Sequence, residues 1–119
     1  MRLNEIDFDD VKPFDGYGPN FFRIGGEVIE GPVLATHAGV NSWGGLEDRE
    51  ALLALADKVD VIFIGMGKEI AHIPADLRKA LERAGLGVEV MSSPAAARTY
   101  NVLLSEGRRI AAALLTVGE

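Results

Sequence analysis

A helix that runs through a tight stop into an uninterrupted apolar strand, residues 92–115, most limits what this chain can become. Ser93 followed by Pro94 is a helix start. The serine hydroxyl can accept from a free N–H of the first turn, and proline at the first helical position sacrifices no hydrogen bond. At about 100° per residue, Ala96, Ala97, Tyr100, Leu103 and Leu104 share one side. Arg98, Asn101 and Ser105 form a narrow polar stripe opposite. Gly107 supplies a left-handed stop, with Arg108 and Arg109 beside the negative helix end. Residues 110–115 are apolar throughout, with small alanines in the middle. Such a run predicts a strand covered on both faces and closely approached by a helix.

The same alternation recurs upstream. From Leu46 the apolar period becomes helical, with Glu47 and Asp48 in a first turn and Leu52, Leu55, Ala56 and Val59 as the buried stripe. Residues 59–64 read as a strand closed by Gly65-Met66-Gly67. Pro74 opens a second helix whose inward face is Ile73, Leu77, Ala80, Leu81 and Ala84, and Gly85 ends it. Residues 86–91 are the next strand. Helices and strands alternating with short joins predict a largely parallel sheet with helices on its faces.

The first 35 residues differ. Gly25-Gly26 lies between Phe21, Phe22 and Ile24 on one side and Val28 and Ile29 on the other, a hairpin signal. Residues 15–20, rich in glycine and proline, read as a loop. Gly31-Pro32 leads into a strand at 33–35, and 36–45 reads as a second loop carrying Trp43, the one tryptophan. The expectation is one α/β domain over 1–119. It has three layers: a central mixed, largely parallel sheet with helices packed on it, and an N-terminal antiparallel β region.

Composition narrows function mainly by exclusion. A chain of 119 residues can bury about two-thirds of its unfolded surface without covalent staples. The absence of cysteine removes disulfides, thiol nucleophiles and thiolate metal sites. A net charge of −6 argues against nucleic-acid binding, which needs clustered Lys and Arg. No apolar run approaches the ~20 residues of a spanning helix, and the N-terminus has no signal-peptide core. A cytoplasmic protein with no direct membrane insertion is expected.

Two regions are candidate sites. Ligands of open α/β sheets bind beyond the carboxyl ends of the parallel strands. Here those ends carry Gly65, Gly67 and Lys68 after one strand and Ser92 and Ser93 after another. A helix N-terminus pointing into that crevice suits an anion. The glycines do not complete a dinucleotide fingerprint, because Ile70 stands where the third would fall, and Lys68-Glu69 breaks a phosphate-loop pattern. Glycines needed for a tight turn explain them as well. His37 and His72 stand in separate loops without companions, so no metal or other cofactor is expected. No serine lies in a nucleophile elbow, Asp9-Asp10 read as a solvated pair, and no catalytic residue is assigned.

The second region is the polar stripe Arg98, Asn101 and Ser105 with Glu106, Arg108 and Arg109. It is either a solvated helix face closed by a Glu106–arginine ion pair, or a guanidinium-lined docking face for a carboxylate-bearing partner. Trp43 is open in the same way, as a core plug or an interface anchor.

These residues carry a resemblance. Ala95 to Ala97, Tyr100-Asn101-Val102-Leu103, Glu106-Gly107-Arg108 and Ala112-Ala113-Leu114 resemble the C-terminal signature of a small α/β family that includes mitochondrial complex I assembly factor 3. The glycine-rich 17–22 loop, Gly31-Pro32 leading to Trp43, and Ile64-Gly65-Met66-Gly67 follow in the same order. The resemblance implies a three-layer α/β domain and a non-enzymatic interaction or assembly role. Its partners would be proteins such as respiratory-complex subunits or membrane-assembly factors, with self-association left open. Without a transit peptide, a bacterial cytoplasmic address, or one peripheral to the inner membrane, fits best. The alternative is a small anionic-ligand binder or weak enzyme using the crevice at the strand ends.

Overall fold

The alternation of helix and strand becomes, in a computed structural model that describes residues 12–118, a five-stranded mixed sheet with layers on both faces. Chain order is β1 (Phe14–Gly18), β2 (Phe21–Ile24), β3 (Glu27–Glu30), β4 (Val33–Thr36), β5 (Gly39–Ser42), α1 (Arg49–Leu53), β6 (Val61–Gly65), α2 (Ala75–Arg83), β7 (Gly87–Met91), α3 (Ser93–Ser105) and β8 (Ile110–Leu114). The main sheet runs β5-β4-β8-β6-β7, and β1-β2-β3 form a separate antiparallel sheet. Strands β6, β7 and β8 are parallel, whereas β4 runs antiparallel to both β8 and β5. Asp9-Asp10 and the start of the N-terminal β region lie outside the described residues.

Strand order dictates the layers. The crossover from β6 to β7 moves outward, and that from β7 to β8 moves back past β6. Right-handed crossovers in opposite directions place their helices on opposite faces. Accordingly α3 and the small sheet cover one face, through Phe14, Phe22, Ile24, Ala96, Ala97, Tyr100 and Leu104. Leu52, Leu77, Leu81 and Trp43 cover the other. Every residue of β8 is buried. Ile110, Ala112 and Leu114 face α3 while Ala111 and Ala113 face α2's side, the period-2 alternation of a doubly covered strand. The apolar central strand is thus as expected.

Several local expectations change. Residues 15–18 are strand rather than loop: β1 tolerates its glycines because it is an edge strand with a register irregularity between Phe14 and Gly16. Only Pro19-Asn20 turn, with Asn20 at φ 67. Part of the 36–45 loop is β5, paired from Val33↔Ser42 to Thr36↔Gly39. The helix expected from Leu46 covers only Arg49–Leu53, and Asp57 at φ 71 leaves helical space before Val59. Glu47 and Asp48 precede it, and the Asp48 carboxylate instead accepts from the Gly44 N–H at 3.1 Å. The strand expected from 59 starts at Val61, and Pro74 is the N-cap of α2 rather than its first residue.

Candidate functional site

The parallel strand ends meet where expected, and they close on one another. β6 and β7 are neighbours, which brings the residues after Gly65 beside Ser92 and Ser93. Ser93 is not the cap. Ser92 caps α3, its Oγ accepting from the Ala95 N–H at 3.3 Å, and Pro94 takes the second helical position. The Ser93 side chain turns inward, fully buried. Its Oγ accepts from the Gly67 N–H at 2.9 Å and donates to the Leu115 carbonyl at 2.6 Å. The Ser93 N–H donates to Gly67 O at 2.7 Å, Met66 N–H to Met91 O and Leu115 N–H to Gly65 O. Three strand ends are therefore stitched together around one hydroxyl. The N–H groups of Met66, Gly67, Ser93 and Leu115 that an anion would need already have acceptors.

The glycines serve this closure. A Cβ on Gly65 would stand 2.7 Å from the Ser93 Cα and as close to the Leu114 side chain. Gly67 sits at φ +94, a left-handed conformation natural to glycine. Lys68 is exposed just beyond.

Trp43 is 3% exposed and donates from Nε1 to Asp48 O at 3.2 Å. It plugs the α1–α2 face of the sheet as part of the core. The polar stripe on α3 divides. Glu106 and Arg108 are exposed beyond the helix end, where Gly107 and Arg108 donate to Leu104 O and Leu103 O around a left-handed glycine. Among the described residues no ion pair joins Glu106 to Arg108 or Arg109. Arg109 reaches Asp57 O at 3.0 Å and the Asp60 carboxylate at 3.8 Å instead.

Arg98 and Asn101, three residues apart on α3, stay together. Asn101 is half-buried and bonds both main-chain groups of Phe14: Oδ1 accepts from its N–H and Nδ2 donates to its C=O, each at 2.8 Å. This clamp ties β1 to α3. Beside it a hollow of about 240 Å³ opens between the two elements. Phe14, Asp15, Gly16 and Tyr17 form one wall, Pro94, Ala97, Arg98 and Asn101 the other, and Phe22 lies between. Asp15 is turned away, accepting from the Gly26 N–H at 2.6 Å. Tyr17 is 49% exposed, and Arg98 is exposed at the rim. The sequence reading found the helix wall and missed the strand wall. The hint was a lone asparagine flanking an apolar helix face, a residue type that commonly serves backbone groups.

Behind the hollow, Phe14 packs edge-on against Phe22 and Tyr100, with ring centroids 5.8 and 5.6 Å away. The Tyr100 hydroxyl is buried without a hydrogen-bond partner among the described residues. Burial pushes its pKa well above the ordinary tyrosine value. No group of three potential metal-ligating side chains occurs among the described residues.

Fold and groove together define a class: a three-layer α/β domain whose side sheet is clasped to a central helix by one amide. The family model described as "Protein of unknown function (DUF498/DUF598)" matches residues 14–115, and the chain belongs to that family. An uncharacterized protein of Rhodobacter capsulatus is 50% identical over 115 residues, covering 97% of this chain and 93% of its own length. The zebrafish (Danio rerio) NADH dehydrogenase [ubiquinone] 1 alpha subcomplex assembly factor 3 is 31% identical over 106 residues, 83% of this chain. The match spans only 61% of that assembly factor's length. A crystal structure from Bartonella henselae, described as an outer membrane protein, superposes with a TM-score of 0.81 at 33% identity. It covers 92% of this chain and 98% of that one. The family resemblance and the mixed-sheet α/β fold expected from sequence are both borne out.

Proposed function

We propose that this chain is a non-enzymatic assembly factor that binds protein partners through the face carrying Arg98 and Asn101. The observation that supports this reading is kinship along most of the chain with proteins named as complex I assembly factors. On this reading the partners are respiratory-complex subunits or membrane-assembly factors. The protein works in the bacterial cytoplasm or at the inner membrane's surface. No helix among the described residues is long and apolar enough to cross a membrane.

The test is affinity capture from cell extract with tagged wild type and Arg98→Ala, read by mass spectrometry. Wild type should recover respiratory-complex subunits or their assembly proteins. The variant should lose them while its thermal midpoint stays unchanged. Equal capture by both, or capture of no partner by either, overturns the proposal.

A further inference from the structure

Among the described residues, the outer edge of β1 is only partly used. In the β1–β2 hairpin, Gly18↔Phe21 is the pair that closes the two-residue turn. Such closing pairs are hydrogen-bonded, and the main-chain groups of an antiparallel strand alternate between its two edges. The N–H and C=O of Tyr17, opposite Phe22, therefore point away from β2, as do those of Phe14, opposite Ile24. At Phe14 this outward pair is met by Asn101, one side chain bonding as a residue of a neighbouring strand would. At Tyr17, among the described residues, no side chain and no loop backbone fills that role.

The surroundings of this open position are specific. Tyr17 and Phe22 are directly paired, so their side chains share a face, and the hollow walled by Pro94, Ala97 and Arg98 lies on it. It has room for one large apolar side chain. Among the described residues, no carboxylate pairs with Arg98. An exposed guanidinium beside an apolar hollow and an open strand position combines main-chain hydrogen bonding, an apolar anchor and carboxylate recognition.

Resting on the reading of this chain as a protein-binding one, we infer that the β1 edge takes an extended segment of a partner protein as an added strand. An apolar side chain of that segment enters the hollow. An acidic residue two positions along, on the same face of the strand, pairs with Arg98. Asn101 sets where the added strand stops, because Phe14 is already satisfied.

The test uses ¹⁵N-labelled full chain and a pool of capped heptapeptides. These carry Phe, Tyr, Leu, Ile or Val at the third position and Asp or Glu at the fifth. Amide signals of residues 14–18 and 95–101 should shift, and exchange of the Tyr17 amide should slow. Replacing the acid by its amide in the peptide, or Arg98→Ala in the protein, should each weaken binding about tenfold. Arg108→Ala should leave it unchanged. Absence of shifts, shifts confined to other surfaces, or equal affinity for Arg98→Ala overturns the inference. So does binding of 3-phenylpropionate as tight as that of the peptides, which would make the hollow a site for free acids. Concentration-dependent shifts of residues 14–18 without peptide would assign the edge to a second copy and likewise overturn it. If extract capture of assembly partners survives in the absence of peptide binding, this inference falls alone. If peptides bind at the edge while no partner is captured, the assembly reading falls alone.

Discussion

Two places in this molecule offer polar groups at the surface of a sheet, and they end differently. At the carboxyl ends of β6, β7 and β8, donors and acceptors come from three adjacent strand ends. The Ser93 hydroxyl and the N–H groups of Met66, Gly67, Ser93 and Leu115 all find partners within the fold. At the β1–α3 groove, one asparagine satisfies Phe14, while among the described residues the neighbouring strand position and Arg98 have no partner. The rule that ligands gather at parallel strand ends depends on unspent hydrogen-bonding capacity there. Here the named groups are used internally, and among the described residues an antiparallel edge keeps an open position.

The comparison can be broken at several strengths. Gly65→Ala forces a Cβ against the Ser93 backbone, and α3 must shift to admit it. It should cost about 3 kcal/mol, read as a lowered urea midpoint. Ser93→Ala leaves the buried Gly67 N–H without its acceptor and should cost about 2 kcal/mol. Ser92→Ala removes only a cap and should cost about 1 kcal/mol. Equal losses for the two serines would erase the distinction between stitch and cap. Asn101→Ala should lower stability by about 1.5 kcal/mol and release the Phe14 amide to rapid hydrogen exchange, while Gly67 stays protected.

The mildest change has the opposite sign. Tyr100→Phe removes a buried hydroxyl that has no partner among the described residues, and should raise stability by about 0.5 kcal/mol. It also carries a pH signature. Burial raises the folded-state pKa, so above the ordinary tyrosine range the unfolded chain has lost a proton that the folded chain keeps. Stability contributed by Tyr100 is intact below that range and falls as pH rises through it. Alkaline denaturation should therefore come at lower pH in wild type than in Tyr100→Phe.

Much of the fold was legible because α3 and β8 combine clear periodicity with unambiguous punctuation. Gly107 and the alanines of β8 leave few alternatives. Other elements owe their state to neighbours. β5 has one apolar residue, Val40, and is a strand because β4 offers it a ladder. β1 hides behind glycines, and α1 stops early although Leu55 and Ala56 continue its pattern. The sequence pattern made Ser93 the cap, a task that falls to Ser92. Only the approach of Gly67 and Leu115 gives each its task. The helix wall of the groove could be read from Arg98 and Asn101. Its strand wall could not, because Phe14 lies 87 residues away and no local pattern encodes that meeting.

The position of β8 has a consequence for synthesis. The last strand of the described chain sits between β4 and β6 and pairs with both. While a ribosome is still making residues 110–114, the β4–β5 hairpin and the β6–α2–β7 unit each wait with a bare inner edge. Neither half can close the sheet alone, and both close together once β8 emerges. An interrupted product would expose two strand edges at once, surfaces prone to wrong pairing and recognised by chaperones. Strand β8 thus makes its own synthesis a condition for burying both inner edges of the sheet.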